Sequence, residues 1–330
     1  MRNRALTGIA VLAVAVLVAT LTAALVVAGR DGDSPGPEPG VNGERPVTVG
    51  LWGDIPYTAE ETARVARTIA DMNAANLDFS VFDGDIKGGG PCEDRVYTQA
   101  IERFSQLDAP AVYVPGDNEW TDCRNEGRDV GLERLDHLRR VMFASPDSFG
   151  RRTMPLEHQG PGPEGGSYPE NTRWQMGGVV FVGVHVVGSN NNLANPAEYA
   201  ERDAANREWL RDSFDLARRT DAAGVMVIVQ ADPFFELVTP ADRALQGVEG
   251  LDSFVDALRT ETMAFGRPVA LVHGDSHRYR LDHPMLEPSG APVPNLVRLE
   301  TFGTPEVSWV KATVDRRDPQ VFRFETRFVE

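Results

Sequence analysis

Four times along this chain an apolar, β-forming run ends in Gly-Asp. Val47-Thr48-Val49-Gly50-Leu51-Trp52 leads into Gly53-Asp54, and Phe79-Ser80-Val81-Phe82 into Asp83-Gly84-Asp85. Val112-Tyr113-Val114-Pro115 leads into Gly116-Asp117, and Val269-Ala270-Leu271-Val272-His273 into Gly274-Asp275. One such pair says little, because turns are rich in both residues. Four of them, each after a strand, deliver carboxylates to the loops beyond strand carboxyl ends, where open α/β sheets bind ligands. The third is the densest, with Asp117-Asn118-Glu119-Trp120 following the strand without a spacer.

The order of elements sets the fold class. Strand 47–53 is followed by a helical pattern over 58–76, with Val65, Ile69 and Met72 on one face, and then by strand 77–83. A helix near 93–107 and strand 110–115 complete a β-α-β-α-β run, which implies parallel strands with right-handed crossovers. A helix over 129–143 comes next, then a proline- and glycine-rich loop up to residue 173. Residues 174–187 read as a hairpin around Gly177-Gly178, closed by Ser189-Asn190-Asn191-Asn192. Helix 197–218, strand 225–229, helix 250–264 and strand 268–273 lead to His277. The tail alternates in short strands at 278–282, 295–301, 307–314 and 320–328, an antiparallel segment expected to form the second half of a sandwich.

Met1-Arg2-Asn3-Arg4 is basic, and no charge occurs from Ala5 to Gly29. A run of that length exceeds the apolar part of a signal peptide, roughly 7 to 15 residues, and reaches the about 20 that span a bilayer. Residues 1–29 are therefore expected to be a membrane anchor, with a cleaved signal peptide as the alternative. Arg2 and Arg4 place the N-terminus in the cytoplasm and the rest outside the cytoplasm, single-pass or secreted. Residues 30–46, rich in proline, glycine and aspartate, read as a flexible linker ahead of a domain at 47–330. A formal charge of −16 argues against a nucleic-acid-binding surface. The two cysteines, Cys92 and Cys123, lie seven and six residues past Asp85 and Asp117. Outside the cytoplasm they suggest one disulfide tying two site loops, against the alternative of two unrelated thiols.

Asp54, Asp85, Asp117 or Asn118, Asp275 and His277 supply hard oxygen donors and one imidazole. Divalent ions roughly 3.5 to 4 Å apart can share a bridging carboxylate and activate a water for attack on phosphorus. Asp85, on the middle strand of three, is the best bridge. The alternative is that these aspartates cap the helices and turns that follow.

The order Gly-Asp, Gly-Asp, Gly-(Asn/Asp)-x-Glu and a late Gly-x-x-His resembles the calcineurin-like metallophosphoesterases over roughly residues 47 to 283. The resemblance implies an α/β (α+β) fold, a four-layer β-sandwich flanked by helices, with a two-metal site at the strand ends. It makes Asp54 the first-motif aspartate and Asp85 the bridge. It sets Asp117 in a metal-binding asparagine's place, and matches Glu119 to the acid that closes that motif. His277 matches the last histidine. Pro56 stands where that family has its first histidine, Asn118 where a histidine protonates the leaving group, and Asp275 where the last motif begins with histidine. Gln230 is the nearest polar candidate for the fourth-motif histidine, with Asp232 behind it. Such an oxygen-rich shell favours Mn, Mg, Ca or Fe over Zn. The implied activity is hydrolysis of a small phosphate monoester or diester, using good leaving groups or another acid such as Tyr57 or His185. The second reading is an extracellular binding module with weak or no turnover. Lys87 and Arg124 are candidate phosphate contacts, and His273 a candidate for orienting a ligand. Ser-hydrolase and P-loop signatures do not occur.

Overall fold

The computed structural model describes residues 45–125, 127–161, 167–234 and 249–329. The expected anchor and nearly all of the linker lie outside them. Among the described residues, no helix is long and apolar enough to cross a membrane.

β1 (Val47–Trp52), β2 (Phe79–Phe82) and β3 (Ala111–Tyr113) lie parallel and adjacent. They are linked through α1 (Ala59–Ala74) and α2 (Asp94–Phe104), as the β-α-β-α-β reading requires. The strands are almost wholly buried, the mark of a sheet covered on both faces. Their alternate side chains part company. Val49, Leu51, Phe79 and Val81 join one core, while Trp52 and Phe82 join another with Val65 and Ile69 of α1 and Phe104 of α2.

After the small hairpin β4 (Arg124–Asn125) and β5 (Arg128–Asp129), and α3 (Gly131–Met142), the chain builds a second sheet. β6 (Glu157–Pro161), β7 (Ser167–Met176) and β8 (Val179–Gly183) are antiparallel neighbours, and the stretch read as a proline- and glycine-rich loop supplies β6 and β7 as far as Arg173. Gly177 and Gly178 both have positive φ, as the two-residue hairpin demands. α4 (Gly188–Asn191), α5 (Pro196–Arg219), β9 (Gly224–Ile228), α6 (Asp252–Phe265) and β10 (Val269–His273) follow. Again the strands alternate. Val225 and Val227 pack with Trp209, Phe214, Phe254 and Leu258, whereas Met226 and Ile228 meet the first sheet's Val49, Phe79 and Val81. The result is helices, sheet, sheet, helices.

The tail differs from expectation. It does not make a sheet of its own but is divided between the two. β11 (Arg280–Asp282) and β12 (Leu296–Glu300) extend the second sheet, β12 running parallel to β10. β13 (Trp309–Val314) and β14 (Phe322–Arg327) extend the first, β13 antiparallel to β1. The sheet orders are β14-β13-β1-β2-β3 and β11-β12-β10-β9-β8-β7-β6. β1 and β10 would each otherwise present an open edge of unpaired backbone groups.

Phe181 is fully buried between the sheets, 5.0 Å from the Phe79 ring and 5.5 Å from that of Trp174. Phe181→Ala is expected to lower unfolding free energy by about 3–5 kcal/mol in a denaturant titration with unchanged slope.

Candidate metal centre

The loops after β1, β2, β3 and β10 meet at one end of the sandwich and interlock. A Cβ on Gly116 would lie 2.0 Å from Asp85 Oδ1, and one on Gly274 would lie 2.0 Å from Asp54 Oδ2. The glycine of one Gly-Asp pair thus makes room for the carboxylate of another. Asp54, Asp85, Asp275 and His277 all have left-handed φ, at 51°, 61°, 77° and 61°. Non-glycine residues rarely adopt that region, and such strain gathers at functional sites.

Asp54, Asp85 and Asp117 are buried. Asp54 Oδ2 accepts from the Asp275 N–H at 3.1 Å, while its Oδ1 accepts no hydrogen bond and lies 3.5 Å from His277 Nε2. Asp85 Oδ1 accepts from the Asn118 N–H at 3.1 Å. Its Oδ2 accepts from Tyr57 Oη at 2.6 Å and Asn118 Nδ2 at 2.5 Å. Tyr57 Oη also accepts from Asn118 Nδ2 at 3.1 Å and lies 3.3 Å from His277 Nε2. Asp117 Oδ2 accepts from Ser189 Oγ at 2.7 Å, and Asp275 Oδ2 from the Asp232 N–H at 3.1 Å. Thr58 caps α1 by accepting from the Glu61 N–H, and Glu61 in return accepts from the Tyr57 N–H at 2.5 Å. This variant of the capping box sets the backbone that carries Tyr57.

Among the described residues, no lysine or arginine pairs with Asp54, Asp85, Asp117 or Asp275. Burial first, and then the neighbouring carboxylates, therefore push these groups up. Asp54 and Asp85 go well above the usual carboxylate range, Asp117 to about 6 and Asp275 to about 7. Burial also lowers the pKa of the His277 imidazole, against the neighbouring acids.

Gln230 faces this centre and Asp232 does not. Gln230 turns its nitrogen inward, donating to Asp275 Oδ1 at 3.3 Å and Asp117 Oδ1 at 3.5 Å, because its oxygen accepts from the Gly188 N–H at 2.7 Å. Gln230, the polar candidate for the fourth-motif histidine, therefore stands at the centre, with Asp232 turned away from it. It acts here as a donor bridging two acids. Asp232, His273 and Glu300 form a second buried group with ligand atoms within 4.8 Å of one another. That group already has its cations. Arg280 ion-pairs with both carboxylates, and Arg298 lies 3.4 Å from Asp232. His273 donates from Nδ1 to the Gly274 carbonyl at 2.9 Å, and burial lowers its pKa.

Glu119 ties the loops together, accepting from the Ile86 and Gly116 N–H groups and from Tyr113 Oη at 3.1, 3.3 and 2.9 Å. Lys87 is half-buried and donates to the Gly88 and Gly90 carbonyls at 2.8 and 3.4 Å. Arg124 lies beside the centre rather than in it, donating to the Thr121 and Cys123 carbonyls. His185, considered as an alternative acid, is fully buried against Glu170 at 2.9 Å and has no place in the site. Cys92 and Cys123 form the disulfide, with Cα atoms 5.5 Å apart. Its Cys92 Sγ lies 3.4 Å from the Asn118 carbonyl oxygen, so the bridge packs directly under a central residue. Ser189 and Asp122 were not anticipated. The signal was the Ser-Asn-Asn-Asn run, since asparagine tolerates left-handed backbone.

No sequence-family profile matches the chain, and no curated protein matches it. Similar solved structures include GAP50, the anchor in the inner membrane complex of Plasmodium, at 11% identity over 87% of this chain and 90% of that one, TM-score 0.48. A dimetal phosphatase from Danio rerio is 12% identical over 86% of this chain and 97% of its own, TM-score 0.48. Vacuolar Protein Sorting 29 from Cryptosporidium parvum is 14% identical over 87% and 100%, TM-score 0.30.

Raised carboxylates have a definite consequence for the cation-free protein. Between the unfolded value near 4 and the folded values of about 6 and about 7 for Asp117 and Asp275, the native state holds more protons than the unfolded one. Stability in chelator is expected to fall as pH rises through that window. Asp275→Asn is expected to raise the melting temperature in chelator at pH 8 and to make it flatter against pH. A wild-type melting curve in chelator that improves from pH 5 to pH 8 would contradict this.

Proposed function

We propose that this chain is a metal-dependent phosphoesterase acting outside the cytoplasm. Its centre would hold one or two divalent cations through Asp54, Asp85, Asp117, Asp275 and His277. One observation carries the reading. Four carboxylates converge, the first three fully or nearly buried, and no lysine or arginine among the described residues forms an ion pair with them. Burying charge without a partner costs several kcal/mol per ion, and cations between the carboxylates remove that cost. The donor set is four carboxylates and one imidazole, so hard ions such as Mn, Mg, Ca or Fe suit it better than Zn. When bound, such ions supply a Lewis acid for phosphoryl oxygens and an activated water.

The chain's own groups divide the remaining work. Asn118 Nδ2 donates to Asp85 Oδ2 at 2.5 Å and to Tyr57 Oη at 3.1 Å, and would exchange one of these bonds to hold a phosphoryl oxygen. An amide delivers no proton at neutral pH, so Asn118 orients and does not protonate the leaving group. Tyr57 Oη, hydrogen-bonded to both Asp85 and Asn118, is the hydroxyl that adjoins them. Lys87, half-buried beside these acids, adds positive charge for an anionic substrate. The disulfide fits an oxidising compartment.

The amide nitrogens of Asn118 and Gln230, both turned toward carboxylates, favour a second reading. In it the same centre binds a phosphate ester with weak or no turnover.

Metal analysis of purified full-length protein, paired with Mn²⁺-dependent hydrolysis of an aryl phosphate and its diester, tests both. At least one divalent ion per chain is expected. Asp85→Ala should lose metal and reduce kcat/KM at least about a hundredfold. Full activity in chelator would sink the metal mechanism, and metal without turnover on any ester would favour the binding reading.

A further inference from the structure

A cavity of about 330 Å³ adjoins the metal centre. Asp122 and Thr121, the β4–β5 hairpin with Arg124 and Asp129, and Leu132 at the start of α3 form one side. Ser189, Asn192 and Asn195, from the turn and the start of α5, form the other. Cavity and centre share a side chain, since Ser189 Oγ lies 2.7 Å from Asp117 Oδ2 and 2.6 Å from Asp122 Oδ1. An ester whose phosphoryl group sits at the centre has this volume beside it for its alcohol portion.

Both walls are built to stay in place. Ser189, Asn190, Asn191 and Asn192 have φ of 49°, 55°, 52° and 58°, four successive left-handed residues. Only a surrounding structure that over-determines it keeps such a turn. Asn191 is buried, with Oδ1 accepting from Arg202 Nη1 at 2.6 Å and Nδ2 donating to the Gly250 carbonyl at 3.0 Å. The Cys92–Cys123 disulfide pins the opposite wall next to Asp122 and Arg124. Rigid walls favour selective binding over general tolerance.

The lining selects a chemical class. Asp122 and Asp129 outnumber Arg124, whose guanidinium already serves two carbonyls and lies 3.5 Å from Asp129. A second phosphate or a carboxylate on the substrate is therefore repelled. The half-exposed Leu132 is the largest aliphatic side chain of the lining, too little to sheathe an acyl chain. Carboxylates, carboxamides and hydroxyls match groups that both donate and accept hydrogen bonds. We propose that this cavity is the alcohol subsite, and that the substrate is a phosphate ester of a sugar or small polyol. The assignment rests on the phosphoesterase reading for the phosphoryl end.

Two measurements on the full chain separate the two ideas. The first is kcat/KM of the Mn²⁺-loaded protein for hexose 6-phosphate and glycerol phosphate against an aryl phosphate. The second is saturation-transfer NMR of the metal-free protein with a methyl hexoside and, separately, with ethanolamine. Leu132→Trp narrows the cavity from an exposed position, and Asn195→Ala removes a polar contact where the side chain makes no helix-cap bond. Each is expected to lower the sugar-to-aryl kcat/KM ratio about tenfold and to reduce transfer to the hexoside ring protons. Transfer to the hexoside with no ester hydrolysed would keep the subsite and overturn the phosphoesterase. Hydrolysis with an unchanged ratio and no transfer would overturn the subsite alone. Transfer to ethanolamine and not to the hexoside would overturn the sugar assignment.

Discussion

Two groups of buried acids lie side by side at the end of this sandwich, and they are neutralised in opposite ways. Asp232 and Glu300 are held by Arg280, with Arg298 close to Asp232. Asp54, Asp85, Asp117 and Asp275 receive only N–H and O–H donors, and the carboxylates repel one another. Hydrogen bonds soften such a cluster but leave its charge in place. The backbone N–H of Asp232, donated to Asp275, joins the two groups. The first group is complete as a salt-bridge network, and the second is complete only with protons or cations. That difference bears on the proposed centre more than ligand spacing does, because among the described residues it is the arginine-held group whose ligand atoms lie within 4.8 Å of one another.

Holding like charges together requires a scaffold that does not yield. The two sheets supply it from separate cores, and the loops at their ends fit into one another through glycine. Left-handed backbone at Asp54, Asp85, Asp275 and His277 then aims side chains that ordinary strand exits would splay. The disulfide beneath Asn118 and the Glu119 bonds to Ile86, Gly116 and Tyr113 fasten the loops after β2 and β3. A cluster of buried carboxylates without ion-pair partners lowers the stability of the folded chain as it ionises, and the surrounding packing has to tolerate that deficit.

Much of this was readable from the chain, because its signals are local. Apolar runs ending in Gly-Asp mark strand exits wherever they occur, and period-two alternation in Val47-Thr48-Val49 or Val225-Met226-Val227 survives translation into structure. Partition between sheets was not readable. β13 pairs with β1 and β12 with β10 through contacts that no neighbouring residue announces. Gln230 and Asp232 show the same limit at a single site. Standing two apart at a strand exit, they share the same local signals. What separates them is Arg280 and Arg298, some fifty residues or more onward, which capture Asp232. The left-handed turn at Ser189 was present as composition only, and its meaning depends on Asp117 and Asp122 arriving from elsewhere.

The departures from a histidine-rich centre point one way chemically. Asp275 for histidine adds charge, Asp117 for asparagine adds another, and Pro56 and Asn118 remove imidazoles. The two aspartates make the donor set harder and more negative, and the proline takes one nitrogen donor away, so a centre of this composition would favour cations that prefer oxygen. A more negative shell also offsets more of the cation's charge, so the same ion polarises a phosphoryl oxygen or a water less. Loss of a proton donor at Asn118 compounds this, since the leaving group must depart with less help. In the function proposed here, such a centre would be biased toward tight cation binding and modest turnover. The polar alcohol subsite proposed beside it would then be the feature best able to recover rate, because positioning an ester depends on neither metal acidity nor proton transfer.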